Sequence, residues 1–154
     1  MKYMDVPDED MAKLRLMDGD VLLCEGNSPD LVGRGAIWRN EIPDCIHQNH
    51  VLRVRVDPST LSPDFLMAVI NSTHGQAYFR SKAKRTTNLA SINSTEVAAL
   101  PLPLPPLTQQ VAMLKTLEKG MEDANAKAKE ARDLRDSAWG AFESALFEPQ
   151  EQTS

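Results

Sequence analysis

The chain has 154 residues, 42% apolar and 25% charged, with a net charge of −5. That globular composition excludes wholesale disorder and fits one ordinary domain, or a small domain with an appendage. Residues 1–33 carry −5, residues 34–100 carry +3 and residues 101–154 carry −3, so only the middle of the chain offers a basic field to nucleic acid. No apolar run approaches the roughly 18 residues of a membrane span. The opening MKYMDVPDEDMAKLRLMDGD has acids where a signal peptide has its apolar core. Cys24 and Cys45 are too few for a disulfide scaffold. Together these features predict a cytoplasmic protein.

In chain order, Val21–Leu23 reads as a short strand after the turn Asp18-Gly19-Asp20, and Ala36–Trp38 as another, entered through Gly33 and Gly35. Residues 50–56 alternate, with Leu52, Val54 and Val56 on one face and Val51, Arg53 and Arg55 on the other. Asp57-Pro58 ends this strand. Ser62-Pro63-Asp64 predicts a helix start, with Ser62 as cap and proline in the first turn. Gly75 allows a break, after which helix resumes through Ala77-Tyr78-Phe79. Ser94 is the expected cap of a short helix through Ala99. The fold class is α+β, a small mixed α/β domain over residues 1–100.

Pro101, Pro103, Pro105 and Pro106 then forbid helix across a junction at 101–107. Thr108 is the expected cap of a long helix over 108–147, which spans about 55–60 Å at 1.5 Å per residue. A disordered tail is expected at 148–154. Along the helix, Leu117, Met121, Ala124, Ala128, Ala131, Arg135, Ala138, Phe142 and Ala145 alternate spacings of four and three, with one polar break at Arg135. A sustained repeat of this kind calls for a partner helix, as in a coiled coil. The alanines let backbones approach closely but bury little area, so the helix gains its stability by pairing.

The chemistry-bearing residues are few. Cys45-x-His47-x-x-His50, with Cys24 in reserve, is the one metal-like cluster, but it lacks a CxxC and reads better as a small buried thiol with polar loop histidines, so no metal is expected. Asn71 and Asn93 open Asn-x-Thr triplets, which have no use in a cytoplasmic protein. No nucleophile–base set, phosphate loop or dinucleotide fingerprint is present, which argues against an enzyme. The stretch Arg80-Ser-Lys82-Ala-Lys84-Arg85-Thr86-Thr87-Asn88 is different: four cations and small polar side chains suit phosphate oxygens and base edges. Arg80, Lys82, Lys84 and Arg85 are the candidate phosphate contacts. Thr87, Asn88, Gln48 and Asn49 are the candidate base contacts. Arg34, Arg39, Arg53 and Arg55 are expected to add to the same field. The competing reading is a solvated helix end with cations at its C-terminus.

Residues 19–56, with VGRGAIW followed by CIHQNHVLRVR, and the LPLPPL-x-x-Q junction resemble the specificity (S) subunits of type I restriction-modification enzymes. The likeness covers about residues 14–147, the C-terminal part of a target-recognition domain and its following conserved helix. That family commonly has Glu-Gln at the junction, where this chain has Gln109-Gln110, and a longer N-terminal section than is present before Asp18. The resemblance implies a subunit without catalytic residues or cofactors of its own. It implies duplex DNA, a methyltransferase subunit and a restriction motor subunit as partners, with S-adenosylmethionine and ATP only on those partners. In the family, two recognition domains lie at opposite ends of paired antiparallel helices, so a chain with one domain and one helix is expected to form a homodimer. The alternative is a truncated interaction module that pairs through its helix without binding DNA.

Overall fold

A computed structural model describes residues 8–28, 31–47, 50–85 and 89–147, with the side chains at 8, 10, 12, 27 and 85 excepted. The chain divides into two units, Met1–Leu114 and Lys115–Ser154. The expected tail at 148–154 lies outside the described residues. So do Gln48, Asn49, Thr87 and Asn88.

The first unit is α+β. Helix α1 (Asp8–Leu14) precedes strand β1 (Val21–Cys24), which is followed by β2 (Gly26–Asn27), β3 (Gly35–Ile37) and β4 (Val51–Val54). Helices α2 (Pro63–Asn71) and α3 (Thr73–Lys82), short strands β5 (Lys84–Arg85) and β6 (Ala90–Ser91), and helix α4 (Ser94–Ala98) complete the unit before α5 (Leu107–Phe147) begins. Two antiparallel three-stranded sheets result, ordered β3-β1-β4 and β2-β6-β5. Val21 and Leu23, both on the inner face of β1, are fully covered by a core that includes Phe65, Ile70 and Phe79. The alternation of period 2 in β1 and the i, i+3, i+4 apolar spacing in α2 turn the two elements toward one core.

Several local expectations shift. Ser62 is the N-cap of α2 by position, but its side chain makes no cap bond. The helical break falls at Ser72, whose hydroxyl accepts from Gly75 N. Gly75 serves the close approach of α2 and α3 instead: a Cβ there would sit 2.2 Å from Val69 O. Gly33 has φ +76°, and its missing Cβ makes room for the Phe79 ring, 2.6 Å from where that atom would lie. Asn93, not Ser94, caps α4. Its side chain accepts from Thr95 N and Glu96 N, and the Glu96 carboxylate accepts from Asn93 N at 2.6 Å, a closed capping box. The long helix begins at Leu107, so Thr108 stands inside the first turn and is not its cap.

Candidate nucleic-acid interface

The basic segment is built on α3 and β5. Phe79 faces the core and is wholly buried, which turns Arg80, the next residue, off that face, while Lys82 emerges at the exposed last residue of the helix. Tyr78 fixes this turn from the flank, donating its hydroxyl to Glu96 O at 2.9 Å. Lys82 Nζ lies 5.9 Å from the Tyr78 ring centroid, a cation–π contact. Lys82 and Lys84 are exposed, and Arg80 is half-buried. Arg85 lies in β5 beside Ala90. Arg80 joins Arg34, Asn71 and Gln76 around a polar cleft of about 440 Å³. Two guanidinium groups and two amides there suit an anion or a base edge. Arg34 thus comes into the neighbourhood of the segment from forty-six positions upstream.

The other three arginines do not extend this field as expected. Arg39 pairs with Asp64 through its guanidinium. Arg53 donates to Arg15 O at 2.9 Å. Arg55 grips Asp20 with two bonds, Nε to Oδ1 and a terminal nitrogen to Oδ2, each 2.7 Å. Asp20 is 1% exposed. Burial pushes its carboxyl upward, but the Arg55 fork, the Met17 N–H and the charges of Arg55 and Arg53 outweigh it and hold the group below the usual carboxylate range. The turn Asp18-Gly19-Asp20 carried no sign of this structural pair, because its partner lies 35 residues away.

The metal-like cluster is dispersed. His50 Nδ1 lies 3.1 Å from a Glu25 carboxylate oxygen, and Cys45 Sγ contacts Ile46 O. Among the described residues, no group of three His, Cys, Asp or Glu side chains is placed to hold a metal.

The junction shows a function that its sequence did not explain. Gln110, the final residue of LPLPPL-x-x-Q, is wholly buried. Its Oε1 accepts from Ser62 N at 2.9 Å, while Nε2 donates to Thr60 O at 2.9 Å and to Pro105 O at 2.8 Å. One amide thus ties the first turn of α5 to the proline run and to the entry of α2, through three of the four bonds an amide can make. Gln109, where the family commonly has an acid, is exposed, so that departure falls on the solvent side.

In the second unit every described residue from Lys115 to Phe147 is exposed. The stripe keeps Leu117, Met121 and Phe142 at 50–56% exposure. Toward the C-terminus the apolar face is wider than the stripe alone. Trp139 stacks edge-on against Phe142 at 6.0 Å, and Leu146 follows at i+7 from Trp139, on the same side. Leu134 lies one turn before Ala138 on the stripe's other flank. No helix among the described residues is long and apolar enough to cross a membrane.

No protein-family model matches the chain. It is 31% identical, over 96% of its length, to the protein named as the type I restriction enzyme MjaX specificity subunit of Methanocaldococcus jannaschii, and spans 37% of that protein. It is 28% identical, over 70% of its length, to the type I restriction enzyme StySPI specificity subunit of Salmonella potsdam, and spans 23% of it. Both alignments cover much of the α+β unit, and the first takes in almost the whole chain. Along nearly its full length, the chain is therefore homologous to part of a type I restriction enzyme specificity subunit.

Proposed function

We propose that the chain acts as a non-catalytic DNA-specificity subunit, half-sized or partial, of a type I restriction-modification system in the cytoplasm. The observation that carries this reading is its similarity to a protein named as a specificity subunit over 96% of the chain. The α3–β5 segment binds duplex DNA, with Arg80, Lys82, Lys84 and Arg85 on phosphates and the cleft of Arg34, Asn71 and Gln76 beside them. Thr87, Asn88, Gln48 and Asn49 remain the proposed base contacts. Residues 108–147 pair with the same helix of a second copy, or dock a methyltransferase subunit. Leu117, Met121, Ala124, Ala128, Ala131, Ala138, Phe142 and Ala145 form the contact, and a twofold pair would read an inverted-repeat site. Methylation and restriction belong to the methyltransferase and motor subunits positioned on it.

The test is a fluorescence titration of a labelled duplex at increasing salt. Each phosphate contact contributes close to one unit to the slope of log K against log salt. Lys84→Ala is expected to weaken all duplexes alike and to lower that slope by about one. An unchanged slope removes Lys84 from the interface. A second reading, an interaction module that does not bind DNA, is favoured by the engagement of Arg39, Arg53 and Arg55 within the domain. Helix-mediated association without duplex affinity at low salt would establish it.

A further inference from the structure

The first sheet ends at β4, and its ladder determines which backbone groups of that strand are satisfied. Glu25 N donates to His50 O at 2.9 Å. The same register pairs Leu23 with Leu52 and Val21 with Val54. In an antiparallel ladder these alternate residues exchange their bonds with the neighbouring strand. The N–H and C=O of Leu52 and Val54 therefore turn to β1, and those of Val51 and Arg53 turn outward. Among the described residues none bonds these outward groups.

A groove of about 590 Å³ runs along this edge. Lys13 of α1, His47, β4, and Val97 and Ala98 of α4 all line it. His47 Nδ1 is buried there with no hydrogen-bond partner. Proteins blunt open edges with charged side chains, proline or a covering element. Here Arg53 and Arg55 are both drawn onto the Arg15 carbonyl, and β4 contains no proline. Among the described residues no acidic side chain lines the groove; Lys13 pairs with Glu9 and Arg55 with Asp20, whereas Arg53, bonded to the Arg15 carbonyl, keeps its positive charge unpaired.

We infer that the β4 edge is a strand-addition site for an acidic, extended segment of another polypeptide. The incoming strand bonds the outward groups of Val51 and Arg53, rests small apolar side chains against Val97 and Ala98, and sets a carboxylate toward the Arg53 guanidinium. Backbone pairing supplies affinity and the alternate side chains supply selectivity. The two outward residues engage about three residues of an added strand at roughly 3.4 Å each, and a probe one residue longer at either end spans them. The site is independent of the DNA-binding reading.

The test uses the full chain, labelled with nitrogen-15, and the capped peptide Glu-Val-Asp-Val-Glu as probe. Saturating peptide is expected to slow amide exchange at Val51 and Arg53 about tenfold, the mark of new backbone bonds, and to leave β3 unchanged. The same peptide N-methylated on its edge-facing residues is expected to give no protection. Arg53→Glu is expected to weaken the acidic peptide at least about tenfold while the fold, followed by the remaining amide shifts, persists. Absence of protection at millimolar peptide overturns the site. Equal binding of a lysine-substituted peptide overturns its acidic selectivity. Protection of Val51 and Arg53 already present in the free chain overturns the inference by placing the chain's own residues on the edge.

Discussion

Replacing Gln110 with methionine preserves length and removes all three bonds of the buried amide. The donor Ser62 N–H is then stranded, as are the Thr60 and Pro105 carbonyls. A buried group left unsatisfied costs about 1–3 kcal/mol. Thr60 is exposed, whereas Ser62 and Pro105 are half-buried, so the stranded Ser62 N–H and Pro105 carbonyl carry most of the loss. The expected loss is about 2–4 kcal/mol, on the order of 10 °C in the melting temperature of a unit this size. Gln110→Glu is informative because it keeps an acceptor for Ser62 N–H while turning carboxylate oxygens toward two carbonyls. Burial without a cation raises the pKa of such a carboxyl above its unfolded value. Its penalty relative to the native chain is therefore smallest at acid pH and grows as pH rises through the unfolded value near 4.3. Urea denaturation followed by circular dichroism at several pH values measures both variants, and hydrogen exchange at Val111 and Leu114 reports whether the first turns of α5 loosen. A Gln110→Met protein within about 0.5 kcal/mol of the native chain refutes the reasoning, because surface substitutions stay in that range.

The Asp20–Arg55 pair predicts a pH dependence. Since the Asp20 carboxyl is held below its ordinary value, its stabilisation is complete above about pH 4 and fades as the pH falls through the lower folded value. Asp20→Asn should flatten that part of the acid unfolding curve and lower stability at neutral pH by about 1–3 kcal/mol, read by urea midpoints. Gly75→Ala places a Cβ 2.2 Å from Val69 O and should cost about 2 kcal/mol or more by forcing α2 and α3 apart, measured by thermal melting. Phe142→Glu puts a charge in the middle of the apolar face formed with Trp139 and Leu146. Light scattering should then show a self-associated chain become monomeric, and an unchanged mass would remove that face from the contact.

The parts legible in sequence are those whose causes are local. Proline cannot donate a backbone bond, so the run from Pro101 to Pro106 separates two regular regions wherever it is folded. The Ala-, Glu- and Lys-rich stretch after it favours helix residue by residue, and α5 extends to Phe147. The alternation at Val51–Val54 and the Pro63 helix start likewise follow from neighbours in the chain. The cap expected at Ser94 fell one position away, on Asn93, where hydroxyl and amide side chains compete for the same orphan N–H groups, and α5 began ahead of Thr108, because only the settled backbone selects where a helix starts.

Tertiary structure decided the long-range polar pairs. Arginines that read as one basic field were divided by contacts 25–38 residues apart in sequence: Arg39 went to Asp64, Arg55 to Asp20, and Arg53 to the Arg15 carbonyl. Gln110 reads as one more polar residue at a helix start, and nothing nearby marks it for burial. It is buried because folding brings Thr60 and Ser62, 48–50 residues upstream, onto the junction, and an amide serves their opposite hydrogen-bonding needs at once. Propensity and periodicity are properties of neighbouring residues, so the sequence by itself determined β1, β3, β4 and α2 to α5 and their order, while α1 and the two-residue strands β2, β5 and β6 carried no such signal. Which charges remain available to a ligand depends on which residues meet across the fold, and that only the tertiary structure decided.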